Sequence, residues 1–92
     1  MDTFAFEWNE EKAFINITKH GVSFEEASTV LSDEYSITIY DEAHSIDEDH
    51  YIDIGLSVSN RLLVVVYTER TNHIRIISAR QATRSERRLY EQ

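Results

Sequence analysis

Leu62-Leu63-Val64-Val65-Val66-Tyr67-Thr68 is the stretch from which the fold can be read. From Leu62 to Val66 every position is apolar, so a strand here has two dry faces and belongs in the middle of a sheet. Runs of similar make-up, rich in isoleucine, valine, threonine or tyrosine, lie on either side: Tyr35 to Tyr40, Tyr51 to Val58 and His73 to Arg80. Ser59-Asn60 and Thr71-Asn72 are breaks of hairpin length. Sequential strands on such short turns pair antiparallel.

Towards the N-terminus, Phe4, Phe6 and Trp8 alternate with Ala5 and Glu7, which predicts a short opening strand with one buried face. From Glu10 to His20 the period turns helical, with Ala13, Phe14 and Ile17 on one side and Glu11, Lys12 and Lys19 left to water. Gly21 follows where a left-handed cap ends a helix. Ser23 and Glu26 form a capping-box pattern, with Val22 and Ala27 spaced as a hydrophobic staple, and open a second helix to about Leu31. Thr83-Arg84-Ser85-Glu86 repeats the capping-box pattern before a last helix reaching Tyr90. The expected architecture is one α+β domain over residues 1–92: an antiparallel meander sheet, two N-terminal helices and one C-terminal helix, with the helices against one face.

A chain of 92 residues has material for one core. Its 41% apolar and 28% charged residues exclude the composition of a disordered chain. Without cysteine there is neither a disulfide framework nor a thiolate metal cluster, and a reducing cytoplasm is the expected location. No run of roughly 18 apolar residues predicts a membrane span, and the acidic start is wrong for a signal peptide. The net charge of −8 is unevenly spread: residues 1–60 hold two basic groups against fourteen acidic ones, residues 61–92 seven arginines against three glutamates. Either the two parts pair in the fold, or the last third meets a polyanion that the rest repels.

Phe6-Glu7-Trp8-Asn9, then Lys12, Asn16 and Lys19-His20-Gly21-Val22-Ser23-Phe24-Glu25-Glu26-Ala27, resemble the opening signature of the BrnT toxins. Ile54-Gly55, the strand from Leu62 to Tyr67 closing on Thr68-Glu69-Arg70, Ile74-Arg75-Ile76-Ile77-Ser78-Ala79-Arg80, Ala82-Thr83, Glu86 and Tyr90 follow the family's second half in order. The resemblance covers nearly the whole chain. It implies a RelE-like fold and a ribonuclease that stops translation without metal or cofactor. It also implies neutralisation by a BrnA-like antitoxin with a ribbon-helix-helix domain, in a complex with two copies of each, which reaches operator DNA through the antitoxin. One position departs: His50 stands where the family usually has an arginine. If that arginine binds RNA, a histidine weakens the charge at neutral pH and makes activity more pH-dependent.

A metal-independent ribonuclease uses the 2′-hydroxyl of RNA as nucleophile, so the protein must supply a base, an acid and positive charge for the phosphorane. Arginine suits the last task through its two-pronged fork. Arg75 carries most weight: it shares a strand side with Ile77 and Ala79, where it either meets phosphate or pairs with an acidic neighbour. Arg80 has the opposite parity, so the two share a face only if the strand twists or bulges near Ala79, or if Arg80 lies beyond its end. Glu86 and Tyr90, four apart, lie on one side of the last helix as candidate base and proton donor, although a cap and the core also explain them.

His20 carries the family motif and is a candidate for acid–base work; with Lys19 it also suits a helix C-terminus. Lys19, Arg70, Arg84 and Arg88 are candidate RNA contacts, Arg70 equally a turn salt bridge with Glu69. Arg84 and Arg88 form a like-charge pair suited to an anionic partner, RNA or an acidic antitoxin segment. His44, His50 and His73 read as solvated, without metal-ligand spacing, and Asp47-Glu48-Asp49 as a solvated loop. Phe6 and Trp8 read as core in preference to base stacking. A binding module without catalysis, docking an antitoxin through the same arginines, is the alternative function.

Overall fold

The computed structural model describes residues 5–92. Phe4, the first residue of the expected opening alternation, lies outside them. The order is β1 (Ala5–Glu7), α1 (Glu10–His20), α2 (Phe24–Val30), β2 (Ile37–Tyr40), β3 (His50–Leu56), β4 (Leu62–Arg70), β5 (His73–Gln81) and α3 (Arg84–Tyr90). A single 3-10 turn, Glu42–His44, interrupts the connection from β2 to β3.

Strands β2 to β5 form the antiparallel meander, with β4 inside it as its two apolar faces require. Asn60 and Asn72 take positive φ in the two hairpin turns, a conformation asparagine tolerates better than most residues. The sheet is nevertheless mixed, because β1 pairs in parallel with the first residues of β5. Two helices separate β1 from the sheet in sequence, so alternation could announce the strand but not its direction.

The helix ends follow local chemistry. Asn9 caps α1 by accepting from the Lys12 N–H, and Gly21, at φ 69°, donates its N–H to the Ile17 carbonyl. Thr83 and Glu86 complete a reciprocal capping box at α3. At α2 only half a box forms: Ser23 accepts from the Glu26 N–H, but the Glu26 carboxylate turns to Arg61 and Ser57. That ion pair joins α2 to the start of β4 and holds the carboxyl below its ordinary range.

Two cores result, one on each face of the sheet. Val22, Phe24, Ala27 and Val30 pack with Leu63, Val65, Tyr67, Ile74, Ile76 and Ala79 under α1 and α2. Trp8 joins this core, its ring edge-on to Phe24 at 6.0 Å. On the opposite face Ile54, Leu62 and Val64 pack with Ile52, Ala82 and Tyr90 of the α3 segment. The helices therefore occupy both faces, not one. The short α3 has apolar groups of its own to bury, and the first face is already filled.

The docking side of α1 also differs from expectation. Ala13 and Asn16 are buried, while Phe14 and Ile17 are exposed, Phe14 at 70%. Asn16 explains the choice. Its amide donates to the carbonyls of Val22 (2.9 Å) and Ala79 (2.8 Å) and accepts from the Ala79 N–H (3.1 Å). A free strand edge leaves such backbone groups unpaired, and one side chain here satisfies both groups of Ala79.

Candidate active site

Alternation in β5 breaks once. Tyr67 pairs with Ile76 and Val66 with Ser78, so Ile77 is an extra residue opposite a gap in β4, a β-bulge. Ile74 and Ile76 face the α1–α2 core before it, and Ala79 faces the same core after it. The bulge thereby turns Arg75 and Arg80 to the same face of the sheet, the one that carries α3. Of the ways left open by the sequence, a bulge is the one realised, two residues before Ala79.

The register lays rows of side chains across that face. Glu7, Arg75, Thr68 and His50 form one row from β1 to β3. Ser78, Val66, Ile52 and Ile39 form the next, and Arg80, Val64, Ile54 and Ile37 the one after it. The α3 segment packs over Leu62, Val64 and Ile54. The row of Arg75 lies beyond that cover. Arg75 is half-buried and makes no ion pair among the described residues. In the same row the Thr68 hydroxyl is buried without a hydrogen-bond partner. Such a group costs about 1–3 kcal/mol, and an orphan of this kind points to strain or function.

Arg80 is held differently. Nη1 and Nη2 each lie 2.8 Å from an oxygen of Glu86, a two-pronged pair. The same carboxylate accepts from the Thr83 N–H. Arg80 above all, then these caps, pull the Glu86 carboxyl down to about 2. A carboxylate so stabilised is a weak base, so its geometry is that of a clamp that aims Arg80. Tyr90 points elsewhere: its hydroxyl donates to Asp33 at 2.6 Å, and that bond first, then burial, pushes the phenol up to about 12. Glu86 and Tyr90, expected as a working pair on one helix side, have separate partners.

Arg70 pairs with Glu48, 2.8 Å from Nη2, not with the adjacent Glu69. This draws the acidic loop before β3 to the rim of the site and lowers the Glu48 carboxyl, with His50 and Arg75 contributing at longer range. His44 instead pairs with Asp41, and Asp49 accepts from Tyr40. His50 is half-buried on the arginine face, not solvated in the loop as expected. Arg84 and Arg88 are exposed on α3. Around the free edge of β5, Lys12, Lys19 and His20 line a groove of about 190 Å³ with Asn16, Ile77 and Ser78. Lys12, Thr68 and Ser78 are the neighbours that sequence reasoning left out, while His50 is marked by the family's usual arginine but reads in the sequence as solvated. Strand parity alone could have placed His50 and Thr68 with Val66 and Ile52, but only the bulge brings Ser78 and Arg80 to the face they share with Arg75.

A model of the family described as "Ribonuclease toxin, BrnT, of type II toxin-antitoxin system" matches residues 8–86. The chain belongs to the BrnT family. The match takes in every element from α1 to β5, including the bulge and both arginines on its face. A crystal structure of the Brucella abortus ribonuclease toxin BrnT is similar to this fold, with a TM-score of 0.70 and 25% identity. The alignment covers 89% of this chain and all of that one. No curated protein matches the sequence. A BrnT chain is a ribonuclease toxin of a type II toxin–antitoxin system by family, which accords with an arginine-bearing face left partly open. Among the described residues no cluster of three or more carboxylate or imidazole groups is placed to hold a metal, and no helix is long and apolar enough to cross a membrane.

Proposed function

We propose that this BrnT chain is an endoribonuclease that cleaves RNA by attack of its own 2′-hydroxyl, without a metal or other cofactor, and so inhibits translation. The observation that carries the reading is the bulge at Ile77, which sets Arg75 and Arg80 on one face beside the open half of the sheet. Two guanidinium groups on one face suit RNA phosphates that gain charge in the transition state. Arg75 contacts the scissile phosphate, and Arg80, aimed by Glu86, supports the same or the next one. Arg84 and Arg88 extend the positive track along α3; Arg70 bounds it near Glu48. Lys19 and His20 continue it around the β5 edge. Tyr90 serves by fixing α3 through Asp33.

The toxin's partner in this reading is a BrnA-like antitoxin with a ribbon-helix-helix domain, forming a complex of two copies of each chain in the cytoplasm. The antitoxin supplies contact with operator DNA. Purified protein and its Arg75→Ala variant, incubated with end-labelled RNA in excess EDTA, test the activity. Cleavage by the parent that leaves a cyclic phosphate, and its loss in the variant, is the expected result. Intact RNA with folded parent protein, in the presence and absence of ribosomes, overturns it in favour of an antitoxin-binding module.

A further inference from the structure

His50 pairs with Thr68 in the β3–β4 ladder, and Thr68 pairs with Arg75 in the β4–β5 ladder. Side chains at such positions share a face, with Cβ atoms of neighbours about 5 Å apart. The row thus holds an imidazole, a hydroxyl and a guanidinium in sequence, and its centre is the buried Thr68 hydroxyl that has no partner. A threonine hydroxyl rotates freely and both donates and accepts, so it can hold either nitrogen of an adjacent imidazole. Both flanking residues are half-buried, and neither is closed off by α3, which packs at the Leu62 end.

The other proton-transfer candidates on this face are committed. Glu86 is locked to Arg80 and to the cap of α3, Tyr90 to Asp33, and Glu48 to Arg70. His20 lies around the edge of β5, in the groove with Lys12 and Lys19. We propose that His50, beside the Thr68 hydroxyl and in one row with Arg75, is a catalytic residue that moves the proton in RNA cleavage. The inference rests on the ribonuclease reading above and adds the group that reading lacks.

In the step, an imidazole nitrogen of His50 takes the proton from the 2′-hydroxyl. The 2′-oxygen forms a bond to the adjacent phosphorus while the bond from phosphorus to the 5′-oxygen breaks. Arg75 balances the negative charge on the non-bridging oxygens. The imidazolium then gives its proton, through water, to the departing 5′-oxygen, leaving a 2′,3′-cyclic phosphate and a 5′-hydroxyl. The charged groups around His50 are Glu48 from the loop before β3, Arg70 at the end of β4, Arg75 on β5 and, at the far end of the row, Glu7 on β1.

The test compares the parent with His50→Arg and His50→Gln in EDTA, measuring cleavage from about pH 5 to 9 and binding of a fluorescent 2′-deoxy oligonucleotide that lacks the nucleophile. His50→Arg keeps a positive charge but cannot transfer a proton, and His50→Gln keeps hydrogen bonding alone. The expected result is binding within about threefold of the parent for His50→Arg and a loss of cleavage of at least about 100-fold in both variants, the size of a lost acid–base group. The pH profile of the parent's rate should contain an ionisation that the residual rate of both variants lacks. Cleavage by His50→Arg at near-parent rate, with a flat profile, overturns the proposal and makes His50 a charge contact. Thermal melts confirm that each variant is folded; Thr68→Val, which keeps shape and His50, should lower the rate constant while leaving oligonucleotide binding intact. If the parent itself leaves RNA intact, the ribonuclease reading fails and the His50 role falls with it, an outcome distinct from failure at the variants.

Discussion

The two faces of this sheet come from the same strands and differ in how they are finished. Under α1 and α2, Phe24, Leu63, Val22, Val30 and Val65 are fully buried, and the buried Asp53 carboxyl beside them accepts from the Tyr67 hydroxyl at 2.9 Å. Under α3, a seven-residue helix dries only Ile54, Leu62 and Val64. The remaining half of that face carries Arg75, His50 and a hydroxyl with no partner. Burial is concentrated on the first face and open polar groups on the second, and a single inserted residue in β5 decides which side chains beyond it go to which.

The largest way to test that division is Phe24→Ala. Removing a fully buried aromatic should cost about 3–5 kcal/mol in urea unfolding, enough to threaten folding of so small a domain. Asn16→Ala should come next. It strands the buried N–H and C=O of Ala79 and the Val22 carbonyl, and a loss of about 2–3 kcal/mol is expected. Because Asn16 grips β5 two residues past the bulge, cleavage should fall in this variant even below its unfolding midpoint. Retained activity would show that the bulge needs no such support.

The helix limits and the central strand were legible because their causes are local: Gly21, Thr83 with Glu86, and the unbroken run from Leu62 to Val66. The bulge was legible only as a conflict of parity between Arg75 and Arg80. One extra residue exchanges the two faces without altering composition, so nothing in the pattern says where it sits. Phe14 and Ile17 misled for a related reason: a helix that docks through an amide to a strand edge has little use for a broad apolar stripe. The parallel pairing of β1 and the placement of α3 on the second face depend on contacts far apart in the chain. Of the candidate residues, Arg75, Arg80 and Glu86 lie on the arginine face, while Tyr90 turns to Asp33 and His20 lies around the edge.

Acid should weaken the second face through Glu86. The Glu86 carboxyl is depressed from 4.5 to about 2, so the stability it contributes is present above about pH 4.5 and lost as pH falls towards about 2. Urea midpoints for the parent should drop between about pH 5 and 2.5, and Glu86→Gln should reduce that drop; parallel curves would remove Glu86 from the account. Smaller again, Thr68→Val relieves an unpaired hydroxyl and should raise stability by up to about 1 kcal/mol while cleavage declines. Smallest in stability is Arg75→Ala, within about 0.5 kcal/mol, since it breaks no ion pair among the described residues. A large stability loss there would mean that the two faces are not divided as described.

The hydrogen bonds between Asn16 and Ala79 join positions 63 residues apart. Synthesis proceeds from the N-terminus, so α1 leaves the ribosome long before the strand it is built to hold. A nascent chain that has reached only β4 contains neither Arg75 nor Arg80, and its Asn16 has no Ala79 to grip. The arginine face is therefore incomplete throughout most of elongation, by the order in which the chain is made.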